Sequence, residues 1–349
     1  MNPGTKSVSK ESDQREDVAH LLQILSGKYR TQALSTIASL GIPDLLADEP
    51  RTLDELASTL KCDASKLDRL LRFTVGMGFL ACEEPARFSL TSVGKQLCSE
   101  ALGPLATFVG SPEQWDPWAR LRDSLTSESQ STPFETTFGV DLYEYLADRP
   151  EAAARYDVAI DSFTQQEARE LCGQFDFTGF ETPVDVGGGH GKLLQEVLAQ
   201  WPNLRGVLCD LPHVVERSKS RMSAEVADRI TLTGGDFFEA LPTGHDLYCL
   251  KHVLHNWDDE RAAALLKSCA QAMSSGGKVL VIEAILTPDN RFDQARVMDF
   301  EMGVLTPGRV RRKPEYRQMF RAAGLSLESV VPIGSSWLLV GSRAKVEDA

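Results

Sequence analysis

The chain lacks several features that would assign it to a specialised class of protein. Its 349 residues contain no apolar run near the roughly 20 residues that a membrane helix needs. The first 17 residues are polar and contain no apolar segment of the signal-peptide type. Seven cysteines, an odd number without a CxxC pair, predict reduced thiols in the cytoplasm rather than a disulfide scaffold or a zinc ribbon.

Positive charge is also in short supply. Lys and Arg number 37 against 50 Asp and Glu, which gives a formal net charge of −13. This excess of acid disfavours nucleic acid as a partner unless one face is locally basic. The length and an apolar content of 42% favour a globular chain with two domains.

Apolar periodicity organises the first part of the chain. Residues 1–17 have no periodic signal, so we expect an unstructured tail there. Residues 18–105 contain three helical segments, one of which begins at a capping box of Thr52 and Glu55. Two short β-like runs follow, at 79–82 and 87–90. Three helices followed by a hairpin is a winged-helix pattern.

A winged helix raises the question of DNA binding. Residues 18–105 contain nine Lys or Arg and ten Asp or Glu, a net charge of −1. A DNA reader of this kind needs several phosphate contacts from a basic face. Lys66, Arg69 and Arg72 are the only candidates on the third helix, and a solvated helix face explains them. We therefore interpret this unit as a packing or dimerisation module, with a metabolite-sensing regulator as the less favoured alternative.

The second half has a different pattern. Residues 106–180 form a helical, aromatic-rich segment that is either core between domains or the wall of a substrate pocket. From residue 181 strands alternate with helices, which predicts an α/β domain with a doubly wound parallel sheet. The strand-like runs are 183–186, 205–209, 230–234, 246–250, 278–283, 325–332 and 337–341. Only a hairpin fits between the last two, so this pair should be antiparallel.

A glycine-rich turn follows the first of these strands. Gly187 and Gly189 belong to a GxGxG pattern in which backbone N–H groups are open to a ligand. A dinucleotide fingerprint would need a sixth-position glycine, and Lys192 stands there instead. The pattern therefore favours a nucleoside ligand without a pyrophosphate.

Two further strand ends carry carboxylates. Asp210, followed by Leu211, lies 23 residues after Gly187, where a carboxylate can accept both ribose hydroxyls. After the next strand come Gly235, Asp236 and Phe237, a carboxylate and an aromatic ring suited to an adenine. A helix cap and ordinary turn chemistry are the alternatives for these two positions.

The block 251–259 follows the fourth strand, at the carboxyl end of the sheet where α/β proteins bind ligands. His255 has a suitable side chain for taking a proton from a phenol near neutral pH. Glu283 ends the neighbouring fifth strand and can hold the His255 imidazole by a hydrogen bond. Asp258 is expected to cap the following helix. The remaining candidates among the histidines, His190, His213 and His252, are interpreted as structural.

Taken together, these motifs resemble those of the S-adenosylmethionine-dependent small-molecule O-methyltransferases. That family includes plant caffeate-type and hydroxyindole-type enzymes and bacterial relatives that act on aromatic natural products. The resemblance covers residues 18–343. It implies an N-terminal winged-helix dimerisation domain at 18–105, hence a homodimer, and a seven-stranded Rossmann-like catalytic domain at 181–349.

The resemblance also implies roles for individual residues. His255 would be the general base and Glu283 would orient it. Gly187 would contact the methionine part of the cofactor, Asp210 the ribose, and Asp236 with Phe237 the adenine, with Lys251 close to it. The expected cofactor-binding set is Gly187, Gly189, Asp210, Leu211, Gly235, Asp236, Phe237 and Lys251.

The chain departs from the family pattern at two positions. Many members have Asp after the catalytic histidine, where this chain has Asn256, and a second glutamate where this chain has Val310. These departures leave open a non-methylating reaction of the same fold, and N- or C-methylation. No metal is expected, because His255 lacks a neighbouring carboxylate ligand. The basic segment 309–313 is interpreted as a solvated turn rather than a contact to an acidic substrate.

Overall fold

The computed structural model of the chain describes residues 4–344 apart from 84, 129 and 290, with side chains from residue 14 onward. Contacts within the chain divide it into two compact units, Met1–Pro112 and Glu113–Ala349. No described helix is both long and apolar enough to cross a bilayer.

The first unit is mainly helical. Its helices are α1 (Gly4–Leu25), α2 (Gly27–Ser39), α3 (Ile42–Leu45), α4 (Leu53–Leu60), α5 (Ala64–Gly76) and α6 (Gly103–Val109). Its strands are β1 (Arg51–Thr52), β2 (Leu80–Glu83) and β3 (Arg87–Leu90), which form an antiparallel sheet in the order β1-β3-β2. The Thr52 and Glu55 capping box is present. The helices and the small sheet enclose a core that includes Ile37, Leu71 and Phe88, each fully buried.

The N-terminal segment differs from the expected tail. Residues 1–3 lie outside the described part of the chain, but residues 4–17 belong to helix α1. The segment lacks apolar periodicity, yet its Lys, Glu, Gln and Arg residues favour helix in their own right, and no Pro or Gly interrupts it after Gly4. Apolar periodicity reports on burial, whereas local residue preference can favour a helix without it.

The second unit has the predicted doubly wound α/β architecture. Helix α7 (Pro112–Trp115) spans the boundary between the units. The other helices are α8 (Leu121–Thr126), α9 (Pro133–Phe138), α10 (Leu142–Ala147), α11 (Pro150–Gln174), α12 (Lys192–Gln200), α13 (Pro212–Ser218), α14 (Asp259–Ala272), α15 (Gln294–Leu305) and α16 (Lys313–Ala322). The strands are β4 (Pro183–Val186), β5 (Gly206–Asp210), β6 (Ile230–Gly234), β7 (Leu247–Lys251), β8 (Lys278–Glu283), β9 (Ile285–Leu286), β10 (Arg311–Arg312), β11 (Leu325–Ile333) and β12 (Ser336–Arg343).

Seven of these strands form one sheet in the order β11-β12-β8-β7-β4-β5-β6. Strands β4 to β8 pair in parallel, while β12 pairs antiparallel with both β8 and β11. The predicted hairpin at the end of the chain is therefore confirmed. Apolar side chains from both faces of the sheet pack under helices, with Val184 and Leu250 in one layer and Leu208 and Leu280 in the other. The carboxyl ends of β4, β5 and β7 meet at one edge, as parallel pairing requires.

The aromatic-rich segment contributes to a separate core. Phe134 and Tyr145 are buried against each other with ring centres 5.4 Å apart, and they pack on Val304 and Leu305 of α15. Trp118, in contrast, is 37% exposed and lies edge-on to Phe300. Part of the segment is therefore core, and part of it remains open to solvent.

Candidate active site

The glycine-rich turn begins where the buried strand β4 ends. Gly187 has a φ of 67°, in the left-handed region that favours glycine, and its N–H donates to the Cys209 carbonyl at 2.8 Å. A Cβ at this position would lie 3.0 Å from Val253 and 3.5 Å from Phe237. Glycine is therefore required both by the backbone and by the close approach of two other predicted site segments.

Asp210 connects two of the predicted motifs. Its Oδ2 accepts the Gly189 N–H at 2.8 Å, and its Oδ1 accepts the Leu211 N–H at 2.7 Å. The Gly235 N–H donates to the Asp210 carbonyl at 3.0 Å, which fixes the third motif beside the first two. Burial raises the pKa of the Asp210 carboxyl, although these backbone donors oppose the effect. Each carboxylate oxygen keeps a further lone pair for a ligand.

An aromatic cluster stands at the next strand end. Asp236 accepts the Phe238 N–H at 2.8 Å, which turns the chain after β6. Phe237 and Phe238 both lie edge-on to Trp257, with ring centres 6.2 and 4.8 Å away. Arg261 lies over the Phe238 and Trp257 rings at 4.3 and 4.2 Å. Trp257 was not predicted as a site residue, although its place two residues after His255 could have indicated a role.

His255 and Glu283 form the pair that the strand order predicts. Strands β7 and β8 are parallel neighbours, and the short 3₁₀ turn Leu254–Asn256 brings His255 back over the end of β8. His255 Nδ1 lies 2.6 Å from Glu283 Oε2, and the His255 N–H donates to Oε1 at 3.1 Å. Glu283 is fully buried. Burial would raise its pKa, but the His255 and His252 rings outweigh burial and lower it to about 2.

Lys251 is held by helix α11. Its ammonium lies 2.9 Å from Glu167 Oε2 and donates to Thr164 Oγ1 at 3.2 Å. The sequence placed Lys251 near an adenine, and that role stays a prediction. Glu167 was not predicted as a site residue, because an acidic residue in a long helix ordinarily belongs to a solvated face.

The same helix also holds the glycine-rich turn. His190 is buried, with Nδ1 2.8 Å from Asp161 Oδ2 and Nε2 3.2 Å from Asp157 Oδ2. Arg217 adds a second contact to Asp157 at 2.9 Å. Burial opposes the charged imidazole, but the two carboxylates outweigh burial and raise the pKa of His190 to about 9. His190 is structural, as expected, and it ties the turn to α11 by charge.

Arg311 contradicts the interpretation of the basic segment as a solvated turn. Its side chain is fully buried and donates to the carbonyls of Leu254 and Trp257, both at 2.8 Å, and to Asp259 at 2.9 Å. Gly308 lies against the same turn, because a Cβ there would be 1.9 Å from the His255 carbonyl oxygen. Arg311 therefore holds the turn that carries His255. A run of basic residues gives no signal for one buried member, since the contacts come from residues more than 50 positions away.

Val310 and Asn256, the two departures from the family pattern, each make a contact that does not involve His255. Val310 is buried with Ala284, Leu286 and Ala295, so an apolar contact occupies this position. Asn256 donates from Nδ2 to the His252 carbonyl at 3.0 Å. Neither residue supplies a carboxylate to His255.

Among the residues that the structure describes, one group could surround a metal ion: His252, His255 and Glu283, whose ligand atoms lie within 4.8 Å of one another. The 2.6 Å between His255 and Glu283 is a hydrogen-bond distance. Two ligands of a tetrahedral zinc ion would stand roughly 3.3 Å apart. The geometry therefore fits a shared proton better than a shared ion.

A glycine turn, an acidic residue at the next strand end and a histidine–carboxylate pair all lie at the carboxyl edge of the seven-stranded sheet. The fold and this arrangement resemble those of a methyltransferase. Residues 118–326 match the family model of the O-methyltransferase domain, and residues 22–100 match the O-methyltransferase dimerisation domain. The chain belongs to this O-methyltransferase family, and its cofactor is S-adenosylmethionine.

Individual relatives cover nearly the whole chain. The chain is 36% identical over 327 residues to phenazine O-methyltransferase PhzM of Lysobacter antibioticus. The alignment covers 93% of this chain and 95% of the relative. It is 35% identical over 319 residues to 3-amino-4-hydroxybenzoate 4-O-methyltransferase of Streptomyces cremeus, at 90% and 86% coverage. The solved structure of LaPhzM has a TM-score of 0.88 at 34% identity, with 94% and 99% coverage. CalO1, a methyltransferase in calicheamicin biosynthesis solved in an SAH-bound form, has a TM-score of 0.80 at 32% identity, with 94% and 98% coverage.

Replacing Arg311 by Met tests its hold on the His255 turn. We expect a loss of about 2–3 kcal/mol in the free energy of unfolding, because two buried carbonyls and Asp259 lose their donor. Chemical denaturation measures the change, with Arg312→Met as the matched control because Arg312 is exposed. Equal stabilities of the two variants would contradict the role given to Arg311.

The His190 contacts predict a pH-dependent stability. A histidine whose pKa is raised to about 9 in the folded state stabilises the fold fully below pH 6.5, and the contribution is lost as pH rises through about 9. In denaturation experiments, the free energy of unfolding should therefore fall by about 2–3 kcal/mol between pH 6.5 and 9.5 because of His190. His190→Asn should lose that part of the pH dependence. Parallel curves for the two proteins would show that the charged contacts contribute nothing.

Proposed function

We propose that this O-methyltransferase of natural-product biosynthesis methylates a phenolic hydroxyl of an aromatic small molecule, with His255 as the general base. The observation that carries the proposal is the 2.6 Å contact between His255 Nδ1 and Glu283 Oε2 at the carboxyl edge of the sheet. Glu283 occupies one ring nitrogen, and Nε2 is left to receive a proton. The acceptor oxygen loses its proton to His255 and gains the methyl group.

The residues around the cofactor site fit S-adenosylmethionine. This cofactor supplies a methyl group on a positively charged sulfur, which is already a strong electrophile. We assign Gly187 and Gly189 to its methionine part, Asp210 and Leu211 to the ribose, and Asp236 with Phe237 to the adenine. Lys251 and Gly235 complete the set from adjoining strand ends. A nucleoside without phosphates matches the GxGxG pattern.

An aromatic acceptor is supported by two kinds of observation. The relatives described above are named for phenazine and aminohydroxybenzoate O-methylation. Trp118, in the aromatic-rich segment 106–180 that could line the pocket, is also partly exposed and contacts the half-exposed ring of Phe300. Most of the acceleration then comes from holding the two reactants in line, which contributes roughly 7–11 kcal/mol in well-oriented pairs.

We also propose a cytoplasmic homodimer. All seven cysteines are free thiols, which suits a reducing compartment. The C-terminal part of α1 and the start of α2 expose large apolar side chains, each more than half accessible, and the adjoining residues 22–100 match a dimerisation domain. These side chains are Val18, Leu21, Leu22, Ile24, Leu25 and Tyr29. An exposed patch of this kind is typical of a protein interface.

Replacing His255 by Ala tests the general base. We expect kcat to fall about 10²- to 10⁴-fold, the usual contribution of a positioned base, while S-adenosylmethionine binding measured by calorimetry is retained. The assay follows S-adenosylhomocysteine release with a panel of hydroxylated phenazines and benzoates and the matching amines. His245→Gln is the control, because His245 lies at the opposite end of β7. Undiminished transfer by His255→Ala would contradict the base role, and transfer to the amines alone would contradict a hydroxyl acceptor.

The dimer proposal is tested by placing charge on the apolar face of α1. Leu21→Glu combined with Leu25→Glu should convert the dimer to monomers in light scattering, since two carboxylates would have to be buried at the interface. Val331→Glu, a charge on an exposed apolar residue of the other unit, is the control. A dimer that survives the double substitution would place the interface elsewhere.

A further inference from the structure

His252 lies between the two buried carboxylates of the site. Its Nε2 is 2.9 and 3.1 Å from the Glu167 oxygens, and its Nδ1 is 3.7 Å from Glu283 Oε2. Nδ1 is buried and has no hydrogen-bond partner. The His252 side chain is only 11% exposed, and its ring centre is 5.2 Å from that of His255. His252 is therefore in electrostatic contact with the proposed base through Glu283.

The backbone holds this histidine in an uncommon conformation. His252 has a φ of 54°, and among the described residues only Lys61 shares a positive φ without being glycine. Such backbone persists where the surroundings fix it, frequently at functional sites. The His252 N–H donates to the Ile282 carbonyl at 2.9 Å, and its carbonyl accepts from Asn256 at 3.0 Å. These contacts aim the ring at the space between α11 and β8.

The buried carboxylates around His252 outnumber the cations unless one of the two histidines is also charged. Glu283 faces it from β8, Glu167 from α11, Lys251 from β7 and His255 from the 3₁₀ turn. From β12, the uncharged Ser336 hydroxyl donates to Glu167 at 2.5 Å, and the Phe163 ring on α11 lies 5.7 Å away. Two carboxylates and one ammonium leave one negative charge, and buried ionised carboxylates require neutralisation. Either His252 or His255 must supply the second positive charge.

Several observations favour His252 for this charge. It is the histidine between both carboxylates, whereas His255 contacts only Glu283. Burial and the Lys251 ammonium lower the pKa of His252, but Glu167 and Glu283 outweigh them and raise it. A proton on Nδ1 would also give that unpartnered nitrogen the Glu283 carboxylate as an acceptor.

We propose that His252 carries the second positive charge of the site and thereby leaves His255 uncharged and able to accept the substrate proton. His252 is thus a positioning residue that acts through Glu283. The inference rests on the proposed role of His255 as the base.

His252→Gln tests the inference, because glutamine can still donate to Glu167 but cannot become a cation. Without that charge, Glu283 attracts the proton to His255. A unit charge about 5 Å away moves a titration by roughly two pH units at an effective dielectric constant of about 20. The acidic limb of the kcat/KM profile should therefore move upward by that amount. We expect about a 10- to 100-fold loss at pH 6.5 and near-normal rates at pH 9 in the variant, with no such change in His245→Gln. A uniform loss at all pH values, with the limb unmoved, would overturn the inference.

NMR of the wild-type protein labelled with ¹⁵N-histidine decides the same question without a variant. The His252 ring should be doubly protonated at pH 7 and the His255 ring singly protonated, and the reverse assignment would overturn the inference. This measurement does not depend on turnover. If His255→Ala keeps full activity, the proposed base fails, while the ring signals still show which histidine carries the charge.

Discussion

Two ionised carboxylates, Glu283 and Glu167, are buried at the carboxyl edge of the large sheet, where water cannot solvate them. Their neutralisation constrains every element nearby. Lys251 and His252 come from the end of β7, His255 from the turn that follows, and Ser336 from the antiparallel β12. Because no single element supplies enough partners, these contacts connect α11, β7, the turn that follows it, β8 and β12.

The turn that carries His255 is fixed from the opposite side by a different kind of contact. Arg311 donates to the carbonyls of Leu254 and Trp257 on either side of His255, and Gly308 permits a close approach of the two backbones. Strand β10, which contains Arg311, also pairs in parallel with β9, two residues after Glu283. The same short segment, β10, therefore fixes the positions of both His255 and Glu283. This explains how the geometry persists although Val310 provides no carboxylate of its own.

The sequence predicted those features of the fold and the site that depend on local pattern and strand order. Strand-like runs located β4, β6 and β8 to the residue, and β4 and β8 are the buried ones, because a central parallel strand is covered on both faces. Strand adjacency was enough to bring Glu283 to His255. Arg311 and Glu167 could not be predicted, since their burial depends on partners far away in the sequence. The helical state of residues 4–17 was missed because the segment has no apolar periodicity, although its residues favour helix locally.

Helix α11 contacts both halves of the site. Asp157 and Asp161 hold the glycine-rich turn through His190, and Glu167 holds Lys251 and His252. At 1.5 Å of rise per residue, the ten positions from Asp157 to Glu167 span about 15 Å. A helix of that length sets the separation between the glycine-rich turn and the Lys251 and His252 side chains. Inserting or deleting one residue within this stretch would rotate one group of carboxylates by about 100° relative to the other, so the helix can change length only outside it.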